Sequence, residues 1–182
     1  GQDGAFSEAA LLGRLHADLA NDLGNLVNRT VSMIMRYCGS RLPALGPVGC
    51  AVEDEPLQRA ATGLGHSLEI AMRQFNFSAA LEAIFSLITQ GNRYVETQRP
   101  WELAKTAPER LPSVLAVLAE VIRVSAIALE PFMPRVAASI WAQLGLGDSP
   151  RRMADVSRWP GLTAGAPIGT PQILFPMPRT NS

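Results

Sequence analysis

Asn25 and Arg29 stand four residues apart in a stretch of helical period, about 40° apart on the helix and opposite the apolar row Leu23, Val27, Val31 and Ile34. A carboxamide and a planar guanidinium one turn apart can present donors and an acceptor to the edge of one unstacked base, which is how single-stranded RNA loops are read. The plain alternative is a solvated helix face that also carries Asn21, Asn28 and Arg36. Trp101 follows Pro100 where a helix is expected to end. A rigid loop there can display the indole as a stacking platform, although from position alone an indole that fills a gap between helices fits better.

The other reactive side chains form no recognisable constellation. His16 and His66 lie alone on helices and read as isolated imidazoles. Gly63-Leu64-Gly65 falls inside a helical pattern, without a preceding strand or a third glycine, so it reads as close helix packing and not as a phosphate loop. Glu53-Asp54-Glu55 stands just before a helix, where acids complement the helix dipole. Cys38 and Cys50 have no His or Cys at metal spacing and read as free thiols in a reducing cytoplasm. No catalytic residue, metal site or cofactor site is expected in this chain.

At 182 residues and 47% hydrophobic, the chain can bury about 70% of its unfolded surface as one globular domain with a tail. Its 16 basic residues balance 16 acidic ones, so bulk charge does not attract nucleic acid, and only a local patch could bind one RNA loop. Glu120 and Arg123 interrupt the longest apolar stretch, so no membrane span of roughly 20 residues is expected. Gly1 to Ala5 lacks the basic and apolar regions of a signal peptide, and the missing initiator Met suggests an excised piece.

The elements that must position Asn25, Arg29 and Trp101 are helices. Apolar spacings of three and four run from Phe6 to Tyr37, with Ser7 as N-cap and Gly39 as stop, as one long helix or two collinear ones. A loop rich in Gly and Pro leads to a second helix from Pro56, whose apolar face is Leu57, Ala61, Leu64, Leu68, Met72 and Phe75. A third runs from Phe77 to Glu96 and ends before Pro100; a loop around Trp101, a helix over Leu111 to Leu129 and a short helix over Arg135 to Leu144 follow. The expected fold is all-α, an antiparallel bundle of about five helices over 1–145, with an irregular tail over 146–182.

Three segments, in this order and at these separations, carry a resemblance: DLANDLGNLVNR over 18–29, NRYVETQRPW over 92–101, and PFMP over 131–134 followed by Ile140, Gln143, Leu144 and Gly145. Together they resemble the anticodon-binding domain of methionyl-tRNA synthetase, from about Phe6 to Gly145, with Gly1 to Gly4 similar to the family's link from its catalytic domain. The first segment is shared more loosely among class I synthetases, and the Asn-Arg-Tyr element leading into Pro100-Trp101 narrows the choice to methionine.

The resemblance implies that Asn25, Arg29 and Trp101, with Pro100 as support, recognise the first anticodon base, a cytosine, of tRNA for methionine. Asn92 and Tyr94 would help to hold the helix that carries the Trp101 loop, and Trp141 and Trp159 would be packing residues. The resemblance further implies a catalytic domain of the same polypeptide that uses ATP and methionine, outside this chain. The tail departs from the family's Leu-Phe-Pro-basic pattern, because Met177 and Pro178 separate Pro176 from Arg179; no role is assigned to Arg179. Its run Ile173 to Phe175 has no partner helix in sequence, so the tail is expected to pack on the catalytic domain. The rival readings are the equivalent domain of a sibling class I synthetase and a helical protein-interaction module.

Overall fold

The computed structural model describes residues 21–46 and 51–175. Ser7, His16, Cys50, the link Gly1 to Gly4 and Arg179 lie outside the described residues. Among the described residues the chain is helical: α1 over 21–37, α2 Glu55–Arg73, α3 Phe77–Gln98, α4 Pro100–Thr106, α5 Leu111–Leu129 and α6 Pro134–Gln143. An isolated antiparallel bridge between Arg41 and Pro167 is the nearest approach to a strand among them. The all-α expectation therefore holds, with one addition, the short helix α4.

α5 is the axis of the bundle. It packs against α2, α3, α4 and α6, and every residue from Val114 to Leu129 is buried, Glu120 and Arg123 included. By length and composition alone this helix could cross a membrane, but its apolar surface is already covered by the neighbouring helices. The two charges thus do not exclude a span, as the sequence suggested; they serve the packing described below.

α2 and α3 form a hairpin through a tight turn in which Asn76 caps α3 by accepting from the Ala79 N–H at 3.0 Å. Leu57, Ala61, Leu64 and Leu68 are buried as expected, but Ala71 takes the next inward position, and Met72 and Phe75 are exposed, Phe75 by 82%. The reason is local. α2 stops at Arg73, and Phe75 adopts a left-handed conformation, φ 52°, that carries its ring out of the helical row.

Asp54 corrects the dipole reading of the acidic run. Its carboxylate is wholly buried, accepts from the Ala51 N–H at 3.0 Å and from Arg110 Nη1 at 2.9 Å, and takes further hydrogen bonds from Arg110 Nη2 and the Tyr94 hydroxyl. It ties the start of α2, the end of α3 and the start of α5 together. Burial first, and the neighbouring Asp54 carboxylate second, push the Tyr94 hydroxyl well above the ordinary phenol range, so it stays a neutral donor at physiological pH.

The described part of the tail lies along the bundle. Its backbone pairs with the segment after α1, Leu42 N–H to Ala166 O and Gly165 N–H to Leu42 O at 2.8 Å each, and with the end of α6, Gly169 N–H to Gln143 O at 3.0 Å. Val156 is fully buried, and Leu174 and Phe175 pack against the core. The premise that the Ile173 to Phe175 run lacks a helix of its own is therefore corrected, since Gly24 and Asn25 of α1 flank it. Gly65 likewise makes room for this tail and not for a helix: a Cβ there would lie 2.5 Å from Ser157 Oγ, while Gly63 faces open space.

Gly91 of α3 is the tightest helix contact. A Cβ at this position would lie 2.9 Å from Leu26 Cδ2 of α1 and 3.3 Å from Val121 Cγ1 of α5, both fully buried side chains with little room to yield. Gly91→Ala is expected to cost about 1 to 3 kcal/mol through overpacking, despite its better helix propensity. A denaturant titration reads this directly, and a variant as stable as the wild type would contradict the packing.

Candidate nucleic-acid interface

The polar face of α1 is where the sequence placed it. Leu23, Leu26, Val27, Val31 and Ile34 are wholly buried, and Asn21, Asn25, Asn28 and Ser32 are exposed. Arg29 sits at the boundary of the two faces, half-buried, and reaches away from α1 toward α3 and α4. Its Nη1 donates to Glu96 Oε1 of α3 at 2.6 Å, and its Cζ lies 5.5 Å from the centroid of the Trp101 ring. Such a cation over an indole face is held by the ring quadrupole. Nε and Nη2 have no protein partner among the described residues, so one edge of the guanidinium keeps its donors.

Trp101 is not in a loop. Pro100 is the first residue of α4 and Trp101 the second, because α3 and α4 are joined by the single residue Arg99 in a left-handed conformation, φ 47° and ψ 61°. The sequence rule that a residue before proline leaves the helical region is obeyed at Arg99, but a new helix starts at once, with proline at the position that needs no N–H partner. Arg99 also pairs with Glu102 in the first turn. Pro100 is buried, and Trp101 is half-buried against the core, so the indole is both a packing residue and a partly open surface.

The segment over 92–101 works as a set of ties. Asn92 Nδ2 donates to Asp22 O of α1 at 2.9 Å, Tyr94 bonds Asp54, Glu96 holds Arg29, and Pro100 seats Trp101. Asn92 and Tyr94 thus hold the carrier helix as expected. Glu96 is the residue that sequence reasoning missed. It stands inside the segment, five residues before Trp101, but only the packing of α3 beside α1 reveals its partner.

Arg29, Glu96 and Trp101 form one cluster. Asn25 is one turn away on α1, makes no side-chain hydrogen bond to them among the described residues, and borders the tail at Leu174 and Phe175 instead. The other two tryptophans pack: Trp141 is buried, its Nε1 donating to Ser149 O at 2.8 Å, and Trp159 rests against the core. Among the described residues no three His, Cys, Asp or Glu side chains converge on a point that could hold a metal ion.

The arrangement therefore offers an aromatic surface, a guanidinium edge and a row of carboxamides, a combination suited to a base and its edge. Comparison with known proteins gives it a family. Residues 42–178 match the family model described as the anticodon binding domain of methionyl tRNA ligase. The methionine–tRNA ligase of Rhizobium meliloti is 37% identical over 176 residues, which are 97% of this chain and 34% of that protein. The Synechocystis enzyme is 40% identical over 146 residues, 80% of this chain and 27% of its own length.

Among solved structures, Mycobacterium tuberculosis methionyl-tRNA synthetase in its apo form aligns with a TM-score of 0.81 and 32% identity over 92% of this chain and 34% of that one. The same enzyme in complex with methionyl-adenylate aligns with a TM-score of 0.78 and 35% identity, covering 92% and 33%. The family match runs through the tail to residue 178, further than the sequence resemblance, which stopped at Gly145, and begins after α1, which the relatives cover. The chain spans about a third of the length of the relatives it matches, and it belongs to the family of anticodon-binding domains of methionyl-tRNA synthetase.

Proposed function

We propose that Asn25, Arg29 and Trp101 receive the first anticodon base, a cytosine, of tRNA for methionine, and that Pro100 fixes the indole against which the base stacks. The observation that carries this reading is the Arg29 guanidinium held between Glu96 and the Trp101 ring, with Nε and Nη2 unpaired among the described residues. Held by the carboxylate on one side, the guanidinium loses less freedom when its remaining donors meet a base edge. Asn25, exposed one turn back, supplies a carboxamide to the same strand. The base occupies the part of the indole that the core leaves open.

The parent polypeptide activates methionine with ATP and transfers it to the tRNA in a catalytic domain outside this chain, in the cytoplasm. Anticodon binding here positions the tRNA, so its energy is expressed partly in turnover. In this reading the tail also packs on that domain, with Ile173, 82% exposed, available for the contact.

Asn25→Ala and Arg29→Ala test the assignment. Each removes hydrogen bonds to a base edge, and each is expected to reduce the preference for cytosine over other first anticodon bases by about 5-fold to 100-fold, from about 1 to 3 kcal/mol of discrimination. Binding of stem-loops that differ at this base reads the effect. Equal weakening for every base, with the preference intact, would contradict the assignment.

A further inference from the structure

Between α5, α6 and the tail lies a cavity that anticodon recognition does not use. It measures about 280 Å³, just under the roughly 300 to 1,000 Å³ usual for drug-sized ligands, so it suits a small molecule. Ile127 of α5, Trp141 of α6 and Pro150 give it apolar walls, and Arg123, Arg152 and Arg158 line it with three guanidinium groups.

Two of these arginines are not consumed by the fold. Arg151, next to Arg152 in sequence, pairs with both carboxylate oxygens of Glu130 and lies over the Trp141 ring, its Cζ 5.8 Å from the centroid. Arg152 and Arg158, by contrast, are exposed and have no ion-pair partner among the described residues. Asp155 is the one acid in the lining, and the charge of Arg123 is already met by Glu120. The recess therefore keeps two cations against one acid, a net charge of +1, where low-dielectric walls strengthen the field.

Arg123 has donors to spare. Of the five N–H groups of a guanidinium, Nε gives one to Glu120, Nη1 one to the Asp155 carbonyl and Nη2 one to the Arg158 carbonyl. Two are left without a protein acceptor among the described residues. The side chain is only 3% exposed, and Gly161 packs on it so closely that a Cβ there would lie 2.4 Å from Arg123 Cζ, which holds the group in place. Fixed donors in a cationic recess are complementary to an oxyanion, and the apolar walls to a carbon body attached to it.

We propose that this cavity binds a small organic oxyanion, with a carboxylate or phosphate monoester head held by Arg152, Arg158 and the two remaining N–H groups of Arg123, and an apolar body against Ile127 and Trp141. The single net charge favours a carboxylate. Because the same Arg123 fastens the tail carbonyls of Asp155 and Arg158, an occupant tightens the docking of the tail. The site stands independently of the assignment of the first anticodon base.

The test is hydrogen exchange read by mass spectrometry on the full-length synthetase, which localises binding to 153–162 whatever else the anion binds in the polypeptide. Phenylacetate, phenyl phosphate and inorganic phosphate are the probes. Phenylacetate or phenyl phosphate is expected to slow exchange over 153–162, and the tighter of the two identifies the head group. Inorganic phosphate, with no body for the apolar walls, should need at least about 10-fold more for the same protection. Arg152→Gln combined with Arg158→Gln changes two exposed side chains, so the melting temperature should match the wild type while affinity falls by about 10-fold to 100-fold through lost charge-assisted hydrogen bonds. Any of three results would overturn the proposal: no slowing by either organic anion at millimolar concentration, equal slowing in the double variant, or inorganic phosphate acting as well as the organic anions, which would leave a counter-ion site only.

Discussion

Arg123→Ala is expected to be the most destabilising single substitution described here, at about 3 to 5 kcal/mol. Arg123 is 3% exposed and Glu120 2%, and they meet through Arg123 Nε and Glu120 Oε2 at 2.6 Å. Their other hydrogen bonds go to the tail. Arg123 Nη1 donates to Asp155 O at 3.0 Å and Nη2 to Arg158 O, while Glu120 Oε1 accepts from the Gly161 and Leu162 N–H groups at 2.7 Å each. Truncation leaves a buried carboxylate without its counter-charge and two tail carbonyls without donors. For a chain of this size each kcal/mol lowers the melting temperature by roughly 2 to 4 °C, so a drop of about 6 to 20 °C is expected. Hydrogen exchange over 153–170 should rise with it. A melting temperature within about 2 °C of the wild type would show that the pair does not hold the tail.

Trp101→Ala is expected to separate binding from stability. Loss of a stacking surface worth about 1 to 3 kcal/mol per base weakens tRNA binding and transfer by roughly 5-fold to more than 100-fold. Adenylate formation in the full-length enzyme stays near the wild-type level, because no ATP or methionine site is assigned to this chain. Some stability is lost as well, since the indole is half-buried against the core, but less than the roughly 3 to 5 kcal/mol of a fully enclosed aromatic. Trp101→Phe, which keeps a ring, should recover most of both. A Trp101→Ala protein that loses adenylate formation and charging in parallel with its melting temperature would reduce Trp101 to a packing residue.

What the sequence revealed, and what it hid, follows from which interactions are local. The helices around Leu57, Ile84 and Leu115 were legible because each repeats apolar residues at helical spacing over several turns. α4 was hidden because the proline rule marks where a helix stops and is silent on one that starts at the next residue. The tail has no period, so its path could not be read, yet the signal for its docking was present in α5: a Glu and an Arg three apart inside an otherwise apolar helix need partners when that helix is central. Asp54 was misread for the same reason, since its partners Tyr94 and Arg110 are distant in sequence. At the candidate site the α1 face was legible from the spacing of Asn25 and Arg29, while the position of the Trp101 ring beside Arg29 follows from the packing of α4. The bond from Arg29 to Glu96 depends on how α3 lies across α1, which spacing does not encode.

The most direct test of the central claim, that the Arg29 and Trp101 face reads the first anticodon base, is a titration of the wild-type protein with two anticodon stem-loops of methionine tRNA that differ only at that base. The cytosine form is expected to bind about 5-fold to 100-fold more tightly than the altered form, the difference produced by about 1 to 3 kcal/mol of base readout. The affinity of both should fall as salt rises. Equal affinities for the two stem-loops at every salt concentration would contradict it.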